Sequence, residues 1–81
     1  MNKNNLYLTK DLYEASFLYA KRLKLLKLEK EDDFYWFVFE DKEKAEILSN
    51  QYWMREGEVI PKEYAEAIRT LKDLLFVRKG D

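Results

Sequence analysis

Two hydrophobic rhythms run along the chain, one of two residues and one of three to four, and the switches between them mark the elements. Leu6-Tyr7-Leu8 is a short apolar piece that reads as a strand. Thr9 follows as a helix N-cap, and Asp11 falls in the first turn, where negative charge favours the helix dipole. From Lys10 to about Leu23, Leu12, Ala15, Ser16, Tyr19 and Leu23 share one helical face, with Glu14 and Lys21 on the opposite, wet side. Phe17 and Leu18 flank that wet stripe, so this helix is expected to be covered on more than one side. Leu25 to Glu29 changes to period two, with Leu26 and Leu28 pointing one way and Lys27 and Glu29 the other. Lys30-Glu31-Asp32-Asp33 supplies a polar turn, and Phe34-Tyr35-Trp36-Phe37-Val38-Phe39 is the most strand-prone stretch of the chain. Together they predict a β-hairpin.

Asp41 caps a second helix that runs to about Glu56, with Ala45, Leu48 and Tyr52 on one face and Ile47 and Met54 extending the apolar arc. Trp53 points away from that arc, and Gly57 is placed to end the helix in a left-handed conformation. After the extended piece Glu58-Val59-Ile60, Pro61 suits the first position of a helix, where its missing N–H costs nothing. Tyr64, Ala67, Ile68, Leu71, Leu74 and Leu75 form the cleanest stripe in the sequence, opposed by Glu66, Arg69 and Asp73. Lys62 with Glu66, and Arg69 with Asp73, stand four residues apart as pairs worth a few tenths of a kcal/mol each, roughly.

The order strand, helix, hairpin, helix, helix predicts an α+β fold: a small three-stranded sheet with helices on at least one face. With 81 residues and no linker or repeat, the chain is expected to be a single domain, residues 1–81. Fifteen Lys and Arg against sixteen Asp and Glu leave a net charge of −1, so any polyanion would need a local patch. The absence of cysteine excludes a disulfide framework and thiolate metal sites, and fits a reducing, cytoplasmic setting. The polar start Met1-Asn2-Lys3-Asn4-Asn5 and the shortness of the longest apolar run, Phe34 to Phe39, imply neither a secretory signal nor a membrane span.

Leu8-Thr9-Lys10-Asp11-Leu12-Tyr13, Ala20-Lys21-Arg22-Leu23-Lys24-Leu25-Leu26, Tyr35-Trp36-Phe37-Val38-Phe39-Glu40-Asp41 and Ala67-Ile68-Arg69-Thr70-Leu71-Lys72 follow one another at telling spacings. In order and spacing, from about Leu6 to Phe76, they resemble a family of short uncharacterised proteins from bacteria and their mobile elements, known as a domain of unknown function. The resemblance implies no activity, ligand or catalytic residue. Two departures stand at helix ends: the family pattern has glycine where Arg22 stands and a polar capping residue where Ile60 stands. Arg22 therefore implies either a left-handed residue costing roughly 1 kcal/mol or a helix that continues further. Ile60 leaves Pro61 to start its helix without a side-chain cap.

Catalytic chemistry finds little footing. There is no His or Cys, and Ser16 and Ser49 are the candidate serine nucleophiles, Ser16 lying on the buried helix face with a structural role expected. Gly57 and Gly80 cannot form a phosphate-cradling loop, and no cofactor motif occurs. Glu29, Glu31, Asp32 and Asp33 at the hairpin tip, and Glu40, Asp41 and Glu43 after it, read as solvated turn and cap residues rather than a cation site.

The aromatic strand is the informative feature. Alternation puts Phe34, Trp36 and Val38 on one face and Tyr35, Phe37 and Phe39 on the other, so both faces need cover. Helices on both faces would supply it; so would a second copy of the chain or another protein on the face left over. Single-stranded nucleic acid is the alternative partner, since Lys21, Arg22, Lys24, Lys27 and Lys30 accompany the aromatics, although Glu29, Glu31, Asp32 and Asp33 interrupt them. The expected function is a non-enzymatic interaction module, homodimeric or bound to a protein partner, self-associating through the aromatic sheet face or a sheet edge, with Tyr35, Trp36, Phe37 and Trp53 as contact residues and Lys24 and Lys27 as accessory charges if the partner is nucleic acid.

Overall fold

The computed structural model describes residues 5–79; residues 1–4, Gly80 and Asp81 lie outside the described residues. Strand β1 (Leu6–Thr9) leads through helix α1 (Leu12–Ala20) to the hairpin β2 (Leu25–Glu31) and β3 (Phe34–Glu40), followed by α2 (Lys42–Trp53) and α3 (Pro61–Lys79). The sheet has the order β1-β3-β2, with β3 antiparallel to both neighbours. β1 and β2 therefore run parallel to each other with the aromatic strand between them. That central place suits β3, which is apolar in both directions.

Register fixes the faces. Tyr7 stands opposite Phe39 and Thr9 opposite Phe37, while Leu8 stands opposite Val38; across β2, Leu28 meets Phe37 and Lys27 meets Val38. A bulge at Leu26 shifts the ladder between Leu25 and Lys27, so Lys27 and Glu29 share the Val38 and Trp36 face. The core gathers Phe37 and Phe39 with Ala15, Phe17 and Leu18 of α1, Ala45 and Leu48 of α2, and Leu71 of α3. All three helices lie on that one face, α1 in the middle. The principal extents, 36 × 32 × 18 Å, agree: the shortest leaves room for a sheet and one layer of helices about 10 Å in diameter. Helical cover on both faces, one reading of the sequence, is thereby ruled out for the described residues.

Helix ends differ from expectation in instructive ways. Asp11, not Thr9, is the N-cap of α1, its side chain accepting from the Glu14 N–H at 2.8 Å. At the other end, Arg22 takes a left-handed φ of 74°; its N–H reaches the Tyr19 carbonyl and the Leu23 N–H the Leu18 carbonyl, with both leucines buried in the core. This is a Schellman closure, which favours glycine at the position Arg22 holds. α2 repeats it with Arg55 (φ 60°) as the left-handed residue, so Gly57 is not the helix stop. Gly57 is needed for another reason: a Cβ there would stand 2.5 Å from the Phe17 ring. Asp41 does cap α2, accepting from the Lys44 N–H at 3.2 Å, and α3 does begin at Pro61. Ile47 and Met54, read as extending the apolar arc of α2, are exposed.

Candidate interaction surface

The face of the sheet opposite the helices is built from alternate residues of three strands: Leu6 and Leu8 of β1, Phe34, Trp36 and Val38 of β3, and Lys27, Glu29 and Glu31 of β2. Val38, at 1% exposure, is shielded within this layer, whereas Leu8 keeps 40% and Leu26, on the bulge, 39% of its surface open. Phe34 and Trp36 are half-buried and pack edge to face, ring centroids 5.3 Å apart. Their polar neighbours hold them in place. The Trp36 indole N–H donates to Glu31 Oε1 at 2.7 Å, and the Lys10 ammonium sits 4.8 Å above the Phe34 ring. The result is an apolar strip rimmed by charges of both signs: Lys10 and Lys27 against Glu29, Glu31 and Glu40.

The residues singled out from sequence scatter. Trp36 and Lys27 share the helix-free face. Tyr35 lies on the opposite side of β3, half-buried and opposite Lys30. Phe37 is a core residue with 1% exposure, so the domain as folded does not present it to a partner. Trp53 is 57% exposed but stands at the end of α2 in the helical layer, packed edge to face on Tyr52, away from Trp36. Lys24 precedes β2 with its side chain exposed, while its carbonyl accepts from the Glu40 N–H. Phe34, Leu8 and Lys10 complete the surface. Phe34 was legible from its parity with Trp36; Leu8 and Lys10 depended on β1 lying beside β3.

The basic stretch also disperses. Lys21 donates to the Glu58 carbonyl at 2.8 Å, Arg22 lies 3.6 Å from Glu63, and Lys27 lies 3.8 Å from Glu29. Lys30 belongs to the helix-side register of β2. No continuous positive track runs beside the exposed aromatics in the described residues.

A second polar arrangement escaped the sequence reading. Glu14, assigned to solvent by its place on α1, is 4% exposed. Its carboxylate accepts from Tyr7 Oη at 2.6 Å, from Thr9 Oγ1 at 2.7 Å and from the Ser49 hydroxyl. Three hydroxyls from β1 and α2 thus take the place of water around one buried carboxylate. Burial, then the hydrogen bond to Glu14, raises the Tyr7 phenol above its ordinary range. The available signal was the pair Tyr7 and Thr9 on the inward face of β1, polar groups that require a partner. Ser16, by contrast, donates to the Leu12 carbonyl at 2.7 Å, the structural role expected of it. Among the described residues no three acidic side chains gather as a metal site, and no helix is long and apolar enough to cross a membrane.

No curated protein and no solved structure matches the chain. A family model described as a domain of unknown function, DUF5659, matches residues 4–77, and with nearly the whole chain covered, the protein belongs to that family.

Proposed function

We propose that the domain is a non-enzymatic protein-interaction module that self-associates through the helix-free face of its sheet. The observation that carries this reading is the asymmetry of β3: one apolar face is packed under three helices, and the other, with Phe34, Trp36 and Leu8, has only its own rim for cover among the described residues. An apolar strip with a polar rim is the ordinary anatomy of an interface. A second copy is the partner that fits best. The rim carries both charge signs, so it can complement itself under a two-fold axis, and the net charge of −1 opposes association little. The cysteine-free sequence supports a reducing, cytoplasmic setting.

Single-stranded nucleic acid is less well supported. The Trp36 indole and Lys27 are already engaged by Glu31 and Glu29, and three carboxylates outnumber two lysines around the strip. Light scattering or sedimentation across the micromolar range is expected to report a dimer. Trp36→Thr, which keeps strand propensity but removes the anchor, is expected to weaken it by about thirtyfold, as truncating a hot spot of about 2 kcal/mol does. A wild-type chain that stays monomeric would remove the reading. A salt-sensitive gel shift with single-stranded oligonucleotides, lost in Trp36→Thr, would replace it with the nucleic-acid one.

A further inference from the structure

Beside the aromatic face lies a second unsatisfied feature, the free edge of β2. In the order β1-β3-β2 this seven-residue strand pairs on one side only among the described residues, and its other side presents a row of N–H and C=O groups with no strand beside them there. Proteins guard such edges with charged side chains, with proline or with bulges. Here the bulge is confined to Leu26, and Lys27 to Glu31 pair regularly with β3. The charges of this stretch, Lys27, Glu29, Lys30 and Glu31, are of both signs, so they oppose one another in most registers of two copies but not in all.

We infer that two copies of the chain join antiparallel through β2, with Leu28 of each copy at the two-fold axis, giving one six-stranded sheet. Charge selects this register. Residues directly opposite in an antiparallel pair share a face, so each two-fold register is centred on a single residue. Centring on Lys27 opposes two lysines, on Glu29 two glutamates, and on Lys30 two lysines with Glu29 facing Glu31. Centring on Leu28 sets Lys27 of each copy against Glu29 of the other, twice, with the two half-buried Leu28 side chains meeting on the helix side. Opposite charges across strands stabilise pairing and like charges oppose it. The intrachain Lys27–Glu29 pair, 3.8 Å apart and open to solvent, is weak enough to be exchanged for the interchain ones.

This deepens the self-association reading but uses a different surface, and it leaves the aromatic strip open on one side of the widened sheet. The test is therefore made in a Trp36→Thr background, where the face contact is weakened. There the edge contact alone is expected to hold a dimer by sedimentation, at concentrations where the face contact, weakened about thirtyfold, no longer does. Adding Lys27→Glu, or separately Glu29→Lys, is expected to weaken the dimer by about tenfold or more, because each opposes like charges at both pairs. Mixing those two variants in equal amounts is expected to restore a dimer of one copy of each, since a strand with carboxylates at both positions then faces a strand with ammonium groups at both. Circular dichroism checks that each variant is folded. A Trp36→Thr chain that is monomeric while the wild type is dimeric overturns the edge contact and upholds the face. Failure of the mixture to re-associate overturns the register, as does a Glu29→Lys chain that still dimerises alone.

Discussion

At Arg22 a single backbone angle carries a measurable cost. The φ of 74° closes α1 by placing the Leu23 N–H on the Leu18 carbonyl, a geometry an L side chain enters at roughly 1 kcal/mol. The compensating ion pair with Glu63, at 3.6 Å and largely solvent-exposed, contributes little. Arg22→Gly is expected to raise the unfolding free energy by about 1 kcal/mol in urea titration. An unchanged or lower stability would show that Arg22 contributes something its contacts do not. The sequence posed this as a choice between a left-handed residue and a longer helix, and Leu23, buried beside Leu18, decides it. Gly57 taught the opposite lesson. Glycine after a helix suggests a left-handed stop, but Arg55 fills that role and Gly57 serves to let the Phe17 ring approach.

Between elements, the Glu14 carboxylate ties β1, α1 and α2 together through Tyr7, Thr9 and Ser49. Truncating it leaves the buried Thr9 and Ser49 hydroxyls without their acceptor, while Tyr7 keeps Ser49 Oγ at 3.0 Å, so Glu14→Ala is expected to cost about 3 kcal/mol. Ser49→Ala, which removes one donor and leaves the other two, is expected to cost about 1 kcal/mol. If Glu14→Ala were tolerated within a few tenths, water must reach the site and the network would not hold the elements. α1 hides this residue because five consecutive positions, Glu14 to Leu18, are buried. A helix sandwiched between two others over a sheet has no single wet stripe, and the periodicity argument that served α3 fails there.

For the whole molecule, two tyrosines set the alkaline limit. Burial first, then neighbouring Tyr52, pushes the Tyr64 phenol up to about 12 from its ordinary 10.0, and Tyr7 is raised as well. Between those values the unfolded chain releases protons that the folded one retains, so stability falls as pH rises through that window and is fully present below it. Denaturant titrations on either side of pH 10 should show the loss, and Tyr64→Phe should lessen it relative to wild type. An identical pH slope in the variant would mean Tyr64 is not shielded in solution. The Tyr64 hydroxyl donates to the Tyr13 carbonyl at 3.2 Å, 51 residues away, so this shift also reports that α3 is seated on α1.

What the sequence alone determined is what neighbouring residues decide among themselves. The hairpin and the two faces of β3 follow from alternation, the Asp41 cap from a side chain reaching three residues ahead, and the start of α3 from a proline ring that fits only a first turn. The α+β class followed from adding those pieces in order. Tertiary structure decided strand order, which face of β3 the helices cover, and the burial of Glu14. Each depends on partners distant in the chain, Ser49 lying 35 residues from Glu14 and β1 reaching β3 across the whole of α1 and β2. Local pattern records that a surface is apolar; only the packed chain records which of two apolar surfaces has been covered.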